Sequence, residues 1–319
     1  MSSTNATDSG AMSAPRECPG RLAALTSLAT VSVVIPTHRR PELVRRAVDS
    51  VMRQSWQPAE VLVVDDADDA GTRTAVADIA PEMHGSTARL RYVSNGDGGV
   101  SSSRNRGAAI ARGSIIALLD DDDYWACDYL EHAIGQLVTS GADAVVTWRA
   151  DGAEGSLRSY RQPRPGLTAG EVVATNPGVV GSNICVYRSV YRKLGGFDEN
   201  LPVSNDIDFF VRFLQAGFRY CVVEKRLVLV GNVTGPRLID ADQRRVDGMR
   251  DYYHKHYELF TPLGHLEMRR KIIRTTLRMR RAALPRGGRR MVYTLGTIAL
   301  ARPRGVNGFR RLLALLKDL

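Results

Sequence analysis

Ser114-Ile115-Ile116-Ala117-Leu118-Leu119-Asp120-Asp121-Asp122-Asp123 sets five apolar residues directly against four carboxylates. A short continuous apolar run bounded by polar residues predicts a fully buried strand over 115–119. Four successive carboxylates repel one another, and the repulsion falls sharply when a divalent cation sits among them. Asp120 and Asp122, two apart in extended chain, point to the same side. Hard oxygen ligands of this kind suit Mg2+ or Mn2+ bridged to phosphate oxygens; the alternative is a solvated acidic turn.

Upstream, two more apolar runs end in the same abrupt way. Val31 to Ile35 is a β-branched strand broken by Pro36-Thr37, and Pro41 opens a helix carrying Val44, Val48, Val51 and Met52. Val61 to Val64 is a second strand and stops at Asp65-Asp66, which completes a βαβ unit. Arg89 to Val93 fits a third strand, followed by a helix capped by Ser102-Ser103, running through Ala111 and stopped at Gly113. Downstream, Leu130, Ile134 and Leu137 mark a helix closed by Gly141, Ala144 to Thr147 a strand, and 151–170 a polar loop. Ile207, Phe210, Val211 and Leu214 fit a helix from Asp206 to Ala216, ended by Gly217. Strand alternating with helix predicts an α/β protein with a single, mostly parallel sheet flanked by helices. Ligands of such sheets bind outside the carboxyl ends of the strands, which singles out Thr37 to Arg39, Asp65-Asp66 and Asp120 to Asp123. A plain turn at Arg39 and a helix or turn cap at Asp66 are the structural alternatives.

The 319 residues, 44% apolar and 24% charged, exclude collagen-like, largely disordered and polytopic membrane classes. Cys18, Cys127, Cys185 and Cys221 form no CxxC pair, which argues against a zinc ribbon and suits a reducing cytoplasm. Charge is uneven: residues 261–319 hold 15 Lys or Arg against 2 acidic residues, so a tail of net +13 follows a body of net −3. Ile273, Leu277 and Leu284, then Phe309, Leu312, Leu313 and Leu316, form helical stripes among these cations. They fit either packing on the body or an anionic membrane surface, and the charge excess favours the membrane.

The succession VSVVIPTHRRPEL, VLVVDDADD, SNGDGGVSSSRNRGAAIARGSIIALLDDDDYW, GGFDE and NDIDFFVRFLQAGF resembles glycosyltransferase family 2, enzymes of the GT-A fold, over about Val31 to Val230. The resemblance implies inverting, metal-dependent transfer of a sugar from a nucleoside diphosphate donor, a UDP-sugar first among them. The implied nucleotide contacts are Pro36 and Thr37 with Arg39 nearby, Asp66 at the nucleobase with Asp65 alongside, Arg104 at the phosphate, and Asp120 and Asp121. Asn105 is read as a phosphate neighbour or a helix brace. The DxD motif falls on Asp120 to Asp122, with Asp122 as the direct metal ligand and Asp120 on ribose, metal or metal-bound water; Asp123 and Trp125 match its tail. The Glu-Asp-x-Asp segment reads Asn205-Asp206-Ile207-Asp208, making Asp206 the base, with Asp208 the first alternative and Asn205 a departure from Glu. The loop Gly195 to Glu199 would flank the acceptor. No His occurs in Leu229 to Thr234, where many members carry one, and His254 and His256 are read as surface or packing residues.

These readings divide the chain into a disordered leader (1–29), a nucleotide-sugar-binding half (30–125), an acceptor-binding half of the same GT-A domain (126–235) and a basic helical C-terminal extension (236–319). The acceptor is expected to be a glycan, a lipid-linked or another small hydroxyl compound, as in cell-envelope polysaccharide assembly. The expected place is the cytoplasm, peripheral at the inner face of the plasma membrane, and no nucleic acid partner is expected. A nicotinamide dehydrogenase lacks support because no GxGxxG follows the first strand. The rival from another class is a non-catalytic nucleotide-fold protein that binds anionic membrane through its tail; intact Asp66, Asp120, Asp122 and Asp206 weigh against it.

Overall fold

Alternating side chains sort the first strands into two cores, one on each face of a sheet. Val31, Val33, Ile35, Val61, Val63, Ile115 and Ala117 pack on one face, while Val34, Leu62, Val64, Ile116 and Leu118 pack on the other. Burial on both sides explains why these runs read as continuously apolar. The computed structural model describes residues 29–82, 87–152, 160–231 and 243–283.

The sheet has eight strands in the order β3-β2-β1-β4-β7-β6-β8-β5. β1 (Val31–Thr37), β2 (Glu60–Asp65), β3 (Arg89–Ser94) and β4 (Ile115–Leu118) are parallel neighbours. Beyond β4 come β7 (Ile184–Tyr187), β6 (Ala144–Asp151), β8 (Tyr220–Val230) and β5 (Asp123–Trp125). β7 runs antiparallel to β4 and β6, β5 runs antiparallel to β8, and β6 and β8 are parallel. Parallel pairing is therefore the majority and is continuous across the half that holds the three strand ends singled out above. β5 and β7, of 3 and 4 residues, are too short to produce a periodic signal and were not anticipated.

α1 (Pro41–Met52) starts at its proline and buries Val44, Ala47, Val48 and Val51, and α2 (Ala70–Glu82) follows β2. α3 (Gly99–Ile110) begins ahead of the expected Ser102-Ser103 cap. The cause is tertiary: Asp66 Oδ1 accepts from the Gly99 N–H at 2.6 Å, so a carboxylate from the end of β2 serves the helix start. α4 (Tyr129–Ser140) ends at Gly141 with φ 62°, the left-handed residue a helix stop favours. α5 (Ala169–Ala174), opened by a Thr168/Glu171 capping box, begins at the last two residues of the stretch read as loop, and α6 (Arg188–Lys193) follows β7.

α7 (Asn205–Gln215) buries Ile207, Phe209, Phe210, Val211 and Phe213. α8 (Gln243–Lys255) and α9 (Pro262–Ala283) lie in the expected C-terminal extension, yet Met249, Tyr252, Tyr253 and Met268 join the same core as α7. Packing on the body thus describes this part of the tail. Ile273 and Leu277 are half-buried, and Arg269, Lys271, Arg274, Arg278 and Arg280 are exposed along α9. The expected leader, Leu284 and the 309–316 stripe lie outside the described residues.

Candidate active site

The order β3-β2-β1-β4 reverses between β1 and β4, the switch point where open sheets form a crevice. Thr37 closes β1 and donates its hydroxyl to Asp121 Oδ2 at 2.8 Å, stitching β1 to the acidic run. Pro36 is buried within β1 beside it, and Arg39, exposed, carries a positive φ of 52° that ends the strand in a tight bend. At the end of β2, Asp65 is fully buried and accepts from the N–H groups of Ala67 and Asp69 and from the Tyr92 hydroxyl at 2.8 Å. Its oxygens shape the turn and do not face a ligand. Asp66, with its side chain 14% exposed, holds Gly99 through Oδ1, and its Oδ2 lies 3.4 Å from Nδ1 of exposed His38.

The acidic run is not extended as expected but makes a turn at Asp121-Asp122, closed by the Asp123 N–H donating to the Asp120 carbonyl at 3.1 Å. Asp121 and Asp123 are buried, whereas Asp120 and Asp122 are partly exposed. Asp121 accepts from Thr37 and from Arg40 at 3.2 Å, and burial pushes its pKa up to about 6. Both oxygens are thereby engaged, so the expected nucleotide contact from this carboxylate has no free group in this arrangement. Asp123 accepts from the Ser182 hydroxyl at 2.6 Å; burial, then Asp122 and Asp120, push it up to about 7. Arg46 of α1 lies over the Tyr124 ring and donates to the Asp122 carbonyl at 2.8 Å, tying the run to α1. Trp125 donates to the Ser182 carbonyl and stacks on Tyr129 at 4.1 Å, which makes it a packing residue.

Arg104 of α3 joins the two halves. Nη2 donates to Asp120 Oδ1 at 2.6 Å, and Nη1 reaches Asn205 Oδ1 at 3.2 Å and Asp206 Oδ1 at 3.0 Å. With a side chain only 3% exposed and two carboxylates held, this guanidinium is committed to the protein, and a direct phosphate contact from it conflicts with the geometry. Gly181 passes beneath the bridge: a Cβ there would sit 2.6 Å from Arg104 Nη2. Asp206 is about a quarter exposed, and its Oδ1 accepts no aligned hydrogen bond despite the ion pair. Burial raises its pKa, Arg104 opposes the rise, and Asp120 adds to it.

Asp208 is the opposite case. It is fully buried, receives Arg212 Nε, Lys255 Nζ and His256 Nε2 at 2.7–2.8 Å, and is held down to about 2 despite its burial. A carboxylate so placed cannot reach an acceptor or take its proton, which removes the alternative base. His256 is buried and hydrogen-bonded to Asp208, and His254 is exposed. Asn105 proves to be a brace: it grips the backbone of Phe197 and the side chains of Glu199 and Tyr191.

Arg149 escaped the sequence reading. It follows the buried run of β6 and feels the charges of Asp123, Asp206 and Asp120; burial lowers its pKa, and its Nε has no partner. The rule that found the aspartates, a polar residue just past a buried run, would have found it too.

Among the described residues no three His, Cys, Asp or Glu side chains converge as a ligand set. Asp120 and Asp122, the two members of the run not turned into the core, fit an ion that fills its remaining positions with phosphate oxygens and water. They do not fit an all-protein cage.

The model of glycosyl transferase family 2 matches residues 32–216. WcaA of Escherichia coli (strain K12), a glycosyl transferase whose name links it to colanic acid biosynthesis, is 26% identical over 271 residues, 77% of this chain and 91% of that one. The uncharacterized glycosyltransferase EpsJ of Bacillus subtilis (strain 168) is 34% identical over 94 residues, 30% of this chain. The matched part is 26% of EpsJ, and only 19% of the chondroitin synthase of Pasteurella multocida (strain Pm70), to which the chain is 24% identical over 190 residues. Among solved structures, the mannosyltransferase PcManGT from Pyrobaculum calidifontis, in complex with GDP-Man and Mn2+, superposes with TM-score 0.58 at 20% identity, covering 93% of this chain and 91% of that one. Residues 1–349 of S. aureus TarS, in complex with UDP-GlcNAc, superpose with TM-score 0.57 at 15% identity over 91% and 80%. These likenesses establish the GT-A fold, and with a family model spanning more than half of its length the chain belongs to glycosyl transferase family 2, a glycosyltransferase enzyme.

Proposed function

We propose that the protein transfers a sugar from a nucleoside diphosphate donor to an acceptor hydroxyl with inversion, using a divalent ion and Asp206 as base. The observation that carries this reading is the Arg104 bridge, which sets the donor-side carboxylate Asp120 and the candidate base Asp206 on one guanidinium. Asp66 offers Oδ2 to an N–H of the nucleobase. Asp122 and Asp120 would hold Mn2+ or Mg2+, which when bound neutralises charge on the departing diphosphate.

Asp206 accepts the proton of the acceptor hydroxyl as its oxygen bonds to the anomeric carbon. On the opposite face the bond from that carbon to the phosphate oxygen breaks, and its electron pair leaves with the nucleoside diphosphate. Asn205 contributes no like charge where the Glu-Asp-x-Asp segment it resembles has Glu; burial and Asp120 supply the upward pull on Asp206 instead. Arg149, with its unpartnered Nε, is assigned to the leaving diphosphate.

The likeness to WcaA favours a glycan or lipid-linked acceptor of bacterial polysaccharide assembly, and the exposed cations of α9 favour work against an anionic inner leaflet. Among the described residues no helix is long and apolar enough to cross a membrane. The test is a thermal-stability screen of the full chain with UDP-, GDP- and dTDP-sugars, each with Mn2+ or with EDTA. One nucleotide class should raise the melting temperature with Mn2+ only; no stabilisation by any donor would contradict the reading.

A further inference from the structure

Lys255 and His256 lie 39 and 40 residues beyond the segment the family model matches, yet they end on the turn that carries Asp206. Asp208 is the meeting point. Its Oδ1 receives His256 Nε2 at 2.8 Å and Lys255 Nζ at 2.7 Å, and its Oδ2 receives Arg212 Nε at 2.8 Å. Because an ionised carboxylate only accepts, His256 donates through Nε2. Lys255 also holds Asp198 Oδ2 at 2.6 Å, while Arg212 donates to the carbonyls of Leu194 and Gly196 at 2.8 and 2.7 Å. From the other side Asn105, next to Arg104 in α3, holds Phe197 and Glu199. The loop 194–199 is thus clamped between α3 and the end of α8, and the same clamp grips the first turn of α7.

Stability alone is a poor explanation for such a cluster, since burying charged groups costs about as much as their pairing returns, and apolar replacements of whole clusters are often neutral. What the cluster does is define one placement of α7 relative to the loop. Asp206 sits two residues before Asp208 on that turn, so its distance to anything resting on the loop is set from α8. We propose that Lys255 and His256, acting through Asp208, are positioning residues that aim Asp206 at the acceptor. The inference rests on the assignment of Asp206 as the base.

Transfer to water provides a reaction that needs no identified acceptor. In the full chain, with Mn2+ and the donor selected by the screen above, hydrolysis is measured for Lys255→Met, Lys255→Arg, His256→Gln and Asp206→Asn, with hydrogen exchange on each. Misplacement of a catalytic group by about 1 Å costs up to about 100-fold in rate. Lys255→Met and His256→Gln should therefore lose about 10-fold or more in kcat, with donor KM within about twofold of the native value. Exchange should rise only within 194–208, and Lys255→Arg should recover most of the rate. Native kcat in Lys255→Met beside an inactive Asp206→Asn overturns the inference alone, as does exchange that rises across the whole chain. Full turnover by Asp206→Asn overturns the base assignment and the inference with it.

Discussion

Asp206 and Asp208 stand two residues apart on one turn and live in opposite electrostatic settings. Burial raises the pKa of the first, while His256, Lys255 and Arg212 hold the second down to about 2. In sequence both were plausible bases, because the partners that separate them are far away: His256 is 48 residues from Asp208. The same limit applies to Asp65, which was legible as a strand-end carboxylate but not as one spent on its own turn. Asp208 has a pKa below its ordinary 3.8, so it contributes stability that is present above about pH 4 and lost as the pH falls toward 2. A depression of that size corresponds to about 2 kcal/mol. Asp208→Asn should lower the unfolding free energy at pH 7 by at least about 2 kcal/mol, and urea titrations at pH 7, 4 and 2.5 should show the gap to the native protein narrowing in acid. A gap that does not change with pH would mean that the carboxylate's charge is not what the three donors stabilise.

Among the elements, α3 shows why helix boundaries were harder to read than strand ends. Val31 to Ile35 and Ile115 to Leu119 announce themselves by composition, since buried parallel strands tolerate little else. The start of α3 depends on Asp66, 33 residues earlier, and no local pattern encodes that bond. The short strands β5 and β7 were missed for a related reason: the strands they pair with come from other parts of the chain. α3 also packs so closely on β1 that a Cβ at Gly107 would overlap Val34 Cγ1 and lie 3.2 Å from Val64 Cγ2. Alanine there gains about 1 kcal/mol of helix propensity but forces this helix off the sheet. Gly107→Ala should therefore destabilise by a net of about 1–2 kcal/mol, read as a lower urea midpoint with an unchanged slope. Higher stability in that variant would show that α3 can move outward without cost.

For the whole molecule, the tail is where sequence and structure divide the answer. Apolar stripes and excess charge were both legible; which stripe packs was not, because that depends on the surface α5 and α8 offer. Met268 and Thr275 are buried while Arg274 and Arg278 remain exposed on the same helix. Each exposed cation close to an anionic bilayer is worth about 1 kcal/mol. Arg274→Glu with Arg278→Glu should cut co-sedimentation with phosphatidylglycerol vesicles by about 30-fold or more at low salt, and leave binding to phosphatidylcholine vesicles unchanged. Equal binding by the variant and the native chain would remove α9 from the membrane contact.

The central claim, that a donor diphosphate is held through a divalent ion at Asp122, is tested most directly by calorimetric titration of the donor into the native chain and Asp122→Asn, each with Mn2+ and with EDTA. Partial exposure at position 122 means that the fold should survive the change, so the melting temperature without ligand should stay the same. Tight binding is expected only for the native chain with Mn2+, with a loss of at least about 10-fold in the variant. Equal affinity in all four titrations would contradict it.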